Sequence, residues 1–109
     1  AIYKEKITNK KLSIIPNPSS SIISNYLIPF LYSGDRDEFQ KKLLASGIGS
    51  NISYGTPIYS MPAYKYLNYK KEDFPATEKF CRSNISFPIF DYIPLEMVDK
   101  VINVINSIE

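Results

Sequence analysis

The chain has no histidine. That removes the usual general base and the commonest metal ligand near neutral pH. It also removes Ser–His and Cys–His nucleophile pairs, so a free-standing hydrolase is disfavoured. Cysteine occurs once, at Cys81. No internal disulfide can form, and a zinc site lacks its ligands. A lone thiol fits a reducing compartment, and a cytoplasmic location is the expectation. A dominant charge sign is missing too. Thirteen basic against 11 acidic residues leave +2, which does not argue for nucleic acid or for an anionic membrane as partner. No apolar run approaches the ~20 residues of a membrane helix. The opening AIYKEKITNKK is charged and has no apolar core, so no signal peptide is read there.

What remains is ordinary in amount. The 109 residues are 44% hydrophobic and 22% charged, which fits a single globular domain over 1–109. A domain of this size buries roughly two-thirds of its unfolded surface. Asn51-Ile52-Ser53 and Asn84-Ile85-Ser86 match the glycosylation sequon, and in a chain read as non-secreted they are chance matches.

Along the chain, Ala1–Ile7 has helical spacing but is too short to persist as an isolated helix. It reads either as a frayed terminus or as a chain opening inside a helix, the latter pointing to a fragment or a split protein. Leu12–Pro16 is a short apolar run ended by Asn17-Pro18-Ser19 turn chemistry. Asn25–Tyr32 is rich in aromatic and β-prone residues and predicts a strand. Pro29 within it cannot donate to a ladder, which places that strand at an edge or a bulge. Asp35 caps a helix, with Glu38 completing a capping-box spacing, Phe39, Leu43 and Leu44 on its apolar face, and Gly47 ending it. A second strand is expected at Asn51–Tyr54, then a loop from Gly55 to Asp73. Pro75 opens a helix running on through Ala76–Asn84, with Phe80 and Cys81 inside. Ile85–Ile89 is a third strand. Pro94 opens a last helix with a stripe of Leu95, Val98, Ile102 and Ile105, widened by Val101, Val104 and Ile108. The fold class is α+β, a small antiparallel sheet of about three strands with helices on one face.

Several constellations invite chemistry. Gly47-Ile48-Gly49-Ser50 looks like a phosphate loop but follows a helix and lacks the Lys-Ser/Thr pair, so it reads as a helix end. Asp35, Asp37 and Glu38 sit at a helix start, where carboxylates serve as caps and dipole partners. Glu72 and Asp73 read as solvated loop charges. Cys81 reads as a buried small apolar group, because a nucleophile there lacks a base. Tyr54, Tyr59, Tyr64, Tyr66 and Tyr69 with Lys65, Lys70 and Lys71 form an aromatic-basic set suited to single-stranded nucleic acid. The even charge balance weighs against that, and turn packing accounts for Tyr64 to Tyr69. Ser53, Tyr54 and Tyr59 stand apart. They flank a proline-stiffened turn and offer hydroxyls and rings suited to sugar hydroxyls, phosphate oxygens and stacking. Ser53 and Tyr54 point to opposite faces if the strand runs through them, so both reach one ligand only if a bulge or strand end lies near Gly55.

The stretch Gly47–Pro88, GIGSNISYGTPIYSMPAYKYLNYKKEDFPATEKFCRSNISFP, closely resembles the C-terminal segment of the DegT/DnrJ family of sugar aminotransferases. The shared order is a helix-ending GI, a polar strand, P-I-Y, P-A-Y, a Tyr-rich loop closing on DFP, an amphipathic helix and S-F-P. The likeness extends to the R-D-E-F helix at Arg36–Phe39, to Ala1–Ile7 as the tail of an interdomain helix, and to Leu95–Ile105 as the closing helix. It implies the small domain of a two-domain enzyme that uses pyridoxal phosphate. In that family the cofactor sits on the large domain with its lysine, and an amino group passes from a donor, usually glutamate, to a keto-sugar nucleotide. The H-Y pair near the sugar corresponds here to Ser53-Tyr54, and the P-L-H position to Pro57-Ile58-Tyr59, so Ser53 and Tyr59 replace both family histidines. None of the eleven lysines matches the cofactor-binding context. The resemblance therefore implies no catalytic or cofactor-binding residue in this chain, which is expected to be inactive alone. The implied partners are the large pyridoxal phosphate domain or subunit and a sugar nucleotide. A second copy is also expected, because apart from the large domain the chain exposes an apolar face at Ile2, Ile14, Ile15 and Tyr54–Tyr59. The competing reading is a non-catalytic α+β module that docks on a partner protein.

Overall fold

Alternation along three short strands sets the architecture. The computed structural model describes residues 2–109. Ala1, at the head of the expected first helix, lies outside the described residues. Strands β1 (Leu12–Ile14), β2 (Pro29–Tyr32) and β3 (Asn84–Ser86) form one antiparallel sheet in the order β1-β2-β3. β2 pairs Leu12 with Tyr32 on one side and Phe30 with Ile85 on the other. Successive side chains face opposite ways, so Phe30 and Tyr32 are buried together while Leu31 between them is half-buried.

Helices cover that buried face. α1 is Ile2–Lys6, α2 is Arg36–Ala45, α3 is Pro75–Ser83 and α4 is Leu95–Ser107. Tyr3 of α1, Phe39 and Leu43 of α2, and Val98, Val101, Ile102 and Ile105 of α4 form one cluster with Phe30, Tyr32, Ile85 and Phe87. Tyr32 stacks on Phe39 at 4.3 Å, and Phe30 meets Phe87 at 5.4 Å. Leu43 and Ile105 are fully enclosed, each contributing roughly 1.5–3 kcal/mol of transfer free energy. Five residues cannot hold α1 by themselves. The Tyr3 hydroxyl donates to the Pro88 carbonyl at 2.6 Å, and Asn9 and Asn106 stitch the following turn to the end of α4. The described part of the first segment is thus docked rather than frayed.

The ends of α2 follow the sequence. Asp35 accepts from the Glu38 N–H at 2.9 Å. At the other end Ile48 N–H donates to Leu43 O and Gly47 N–H to Leu44 O, both 2.9 Å, with Gly47 at φ 77°. This is the paired closure that a left-handed glycine permits.

Five expectations change. Pro29 opens the central strand rather than marking an edge or bulge, and the first ladder position tolerates a residue without an N–H. The strand expected from Asn25 begins at Pro29, because Asn25 adopts φ 55° and turns the chain first. The run at Leu12–Ile14 becomes β1. At Asn51–Tyr54 the expected strand reduces to a single bridge, Asn51 to Ser86. In α4 the buried stripe starts one turn later than expected, at Val98, leaving Leu95 exposed.

Candidate functional site

Between α2 and α3 the chain leaves the sheet at Asn51. Ser53 to Gly55 is a turn, and three short 3-10 helices follow at Ile58–Ser60, Pro62–Leu67 and Lys71–Asp73. Prolines and local caps shape them. Asn68 takes a left-handed conformation, and Asp73 accepts from the Lys70 N–H at 2.8 Å. Every residue from Ser60 to Asp73 is exposed. Tyr64, Tyr66, Tyr69, Lys65, Lys70 and Lys71 therefore sit on these outer turns.

The strand ends before Ser53, so the period-two rule does not separate Ser53 from Tyr54. Ser53 is half-buried, and its Oγ accepts from Asn51 Nδ2 at 2.8 Å. Tyr54 is 78% exposed and lines an apolar groove of about 370 Å3 with Ile58, Met61, Phe80 and Cys81. Tyr59 is half-buried and lines a neighbouring groove of about 410 Å3 with Tyr64, Tyr69 and Phe74. Ile58 and Thr77 belong to both grooves. The structure thus brings Ser53 and Tyr54 together at one turn and sets Tyr59 across a shared wall.

Tyr59 has its hydroxyl engaged. Its ring stacks on Phe74 at 5.1 Å, and its hydroxyl donates to Glu78. Loss of solvent around the phenol, then this hydrogen bond and the Glu78 charge, push its pKa up to about 12. The same hydrogen bond, with help from Arg82 at 3.2 Å, holds the Glu78 carboxyl below its usual value. Burial and then the Glu78 charge push the Cys81 thiol up, against the opposing pull of Arg36. A neutral thiol is a poor nucleophile.

Two functional-region residues escaped the sequence reading. Asn84 is 1% exposed. Its Oδ1 accepts from Ser53 N–H at 2.9 Å, and its Nδ2 donates to Tyr54 O at 3.1 Å and Phe80 O at 2.9 Å. Both sequon asparagines therefore have their amides engaged within the protein. Arg36 is also buried. Its Nη1 donates to Cys81 O at 3.0 Å and Asn84 O at 2.9 Å, and its Nε pairs with Asp37. A signal for Arg36 was present: a cation in the first turn of a helix opposes the dipole and needs a partner elsewhere. Asn84 carried no such signal.

Pyridoxal phosphate, implied by the family likeness, needs a lysine suited to hold it. All eleven lysines are exposed, whereas a lysine activated to hold the cofactor covalently needs a desolvated or cation-lined pocket. The residues of this chain do not fit the cofactor by themselves. Among the described residues no three His, Cys, Asp or Glu side chains gather to hold a metal, and no helix is long and apolar enough to cross a membrane.

Residues 1–106 match the model of the DegT/DnrJ/EryC1/StrS aminotransferase family. The erythromycin biosynthesis sensory transduction protein EryC1 of Saccharopolyspora erythraea is 34% identical over 68 residues, covering 62% of this chain and 19% of that protein. A dTDP-3-amino-3,4,6-trideoxy-alpha-D-glucose transaminase of Micromonospora megalomicea subsp. nigra is 30% identical over 74 residues, covering 67% of this chain and 20% of its own length. The structure resembles the PMP form of Spr1654 from Streptococcus pneumoniae, described as a sugar aminotransferase, with a TM-score of 0.82 at 22% identity over 96% of this chain and 27% of that one. The chain spans about a fifth of the length of these curated relatives.

Proposed function

This chain belongs to the DegT/DnrJ/EryC1/StrS aminotransferase family, and we propose that it forms the small C-terminal domain of a sugar aminotransferase. The large domain, as a preceding segment or a separate subunit, supplies pyridoxal phosphate and its lysine. The observation that supports this reading is the family match over residues 1–106 on a chain that spans only about a quarter of the comparable solved structure.

In the complete enzyme the cofactor provides the electron sink for moving an amino group. The residues of this chain bind and exclude. The turn at Ser53-Tyr54 faces the keto-sugar nucleotide, with Tyr54 offering a ring and a hydroxyl. The apolar grooves beside it keep water from the reacting end of the substrate. Tyr59 acts through packing, because Glu78 holds its hydroxyl. Glutamate is the amino donor of this reading, and the working assembly contains a second copy in a cytoplasmic enzyme. The isolated chain has no activity.

The test is reconstitution. The chain is combined with a large-domain partner, and pyridoxal phosphate absorbance and turnover of glutamate with a dTDP-linked keto-hexose are followed. The expected result is cofactor absorbance and turnover only in the mixture. Turnover by the chain alone, or one saturable lysine labelled by pyridoxal phosphate and borohydride, overturns the reading.

A further inference from the structure

The turn that carries Tyr54 lacks the support its neighbours have. The ladder ends at Asn51, and Tyr54 itself is exposed. A loop of this kind is mobile unless something fixes its backbone. One side chain does so here. Asn84 leaves the end of α3 and reaches across to both sides of the Ser53–Tyr54 unit. Its amide accepts from Ser53 N–H and donates to Tyr54 O, while a third bond anchors it to Phe80 O on the preceding helix α3. Arg36, from α2, fixes the backbone that carries the amide by donating to Asn84 O and Cys81 O. A fully enclosed carboxamide with three partners of good geometry holds a narrow range of orientations. An Asn in a buried site with weaker apolar packing than Val or Leu has a cost that these bonds must offset.

We propose that Asn84 is the positioning residue of the site: it sets the backbone of Ser53-Tyr54, and so determines where the Tyr54 ring meets the sugar nucleotide. The inference rests on the reading of Tyr54 as a substrate-facing residue. Asn84 touches no substrate and acts through the turn. Its loss leaves the groove in place but lets Tyr54 sample orientations that do not serve binding. The effect falls on KM more than on kcat, because what is lost is a binding geometry.

The experiment is a double-mutant cycle in the complete enzyme, with glutamate and a dTDP-linked keto-hexose as substrates. Asn84→Ala is expected to raise the sugar KM about 10-fold, with kcat changed less than about 2-fold. Tyr54→Ala raises the same KM, and the double variant is no worse than Tyr54→Ala, since one residue works through the other. If Asn84→Ala does not fold, Asn84→Asp takes its place. That variant has the same shape and keeps the acceptor for Ser53 N–H, but turns an oxygen toward Tyr54 O and Phe80 O, and the same split is expected. Amide exchange on the unmodified enzyme is the check that needs no variant: Ser53 N–H should be protected within an otherwise exposed turn. If Tyr54→Ala leaves KM unmoved, the substrate-facing reading falls and the inference falls with it. If Tyr54→Ala raises KM while Asn84 variants do not, if the two effects add, or if Ser53 N–H exchanges like an unstructured amide, the positioning role alone is overturned.

Discussion

The sheet with α2 and α4, and the segment from Asn51 to Phe74, are held by different forces. In the first, Phe39, Leu43, Ile85 and Ile105 are each 1% exposed or less. Ladder bonds and apolar burial act together there, and many residues share the task. In the second, Tyr54, Ile58, Tyr66 and Tyr69 are all more than half exposed. Short 3-10 turns bond only locally there, and what ties that segment together beyond them is a few individual polar links: Asn84 to Ser53 and Tyr54, Asp73 to Lys70, and Glu78 to Tyr59. Burial is collective and tolerates small adjustments, whereas a single link fails all at once. The core should therefore answer mutation with lost stability, and the segment with lost geometry at nearly constant stability.

Phe39→Ala is the largest test of that contrast. It removes a ring that is 1% exposed and stacked on Tyr32. The expected cost is about 3–5 kcal/mol, read as a fall in the urea midpoint at unchanged slope. A loss below about 1 kcal/mol would mean that α2 does not close the core.

The same contrast explains what the sequence disclosed. The α2 cap at Asp35, the turn at Gly47 and most of the α4 stripe come from local chemistry or 3.6-residue periodicity, and they appear where expected. The order of segments carried the family likeness. β1 was missed because three residues, Leu12–Ile14, give no period to measure. Asn51–Tyr54 misled because its composition is that of a strand, while the Asn84 side chain, 31 and 30 residues on, takes the backbone groups of Ser53 and Tyr54. Asn84 escaped for the same reason, and the first-turn charge of Arg36 showed only that it needed a partner off its own helix, not that the partners were the carbonyls of Cys81 and Asn84. Ser53, Tyr54 and Tyr59 could be named from residue type and spacing, but the engagement of the Tyr59 hydroxyl by Glu78 could not.

Arg36→Met comes next, because Arg36 joins the two regions. The change leaves the Cys81 and Asn84 carbonyls without their charged donor. Two charge-assisted bonds at a buried site are together worth about 2–4 kcal/mol. Stability should fall by that amount, and amide protection at Ser53 should weaken with it. If global stability fell while Ser53 stayed protected, the two regions would be less coupled than the hydrogen bonds indicate.

Tyr54→Ala separates function from stability. An exposed ring far from caps and core should change unfolding by less than about 0.5 kcal/mol. In the complete enzyme the same change should raise the sugar-nucleotide KM by roughly 5- to 150-fold, equivalent to about 1–3 kcal/mol. A collapse of the glutamate half-reaction with sugar affinity intact would move Tyr54 to the cofactor side.

The smallest effect lies in the segment's Tyr59–Glu78 link, and pH resolves it. The Tyr59 pKa is raised to about 12, above its ordinary value of 10.0. A group whose pKa is raised on folding adds stability below the unfolded pKa, and loses it as pH climbs through the folded one. The Tyr59 contribution should thus be complete below pH 10 and disappear between about 10 and 12. Glu78 runs the other way. Its pKa is lowered from 4.5, so its contribution is complete above that value and disappears as pH falls through the lower folded value. Carbon NMR of the phenol rings checks the first window, since Tyr59 should titrate late and its signal should vanish in Tyr59→Phe. Tyr3, also raised by burial, remains as an internal reference. In Glu78→Gln the Tyr59 midpoint should drop but stay above 10.0, because loss of solvent is the larger cause and the hydrogen bond and charge the smaller ones. A midpoint that fell all the way to the free value would make Glu78 the whole cause, and Tyr59 would then be anchored by that one link rather than by its stacking on Phe74.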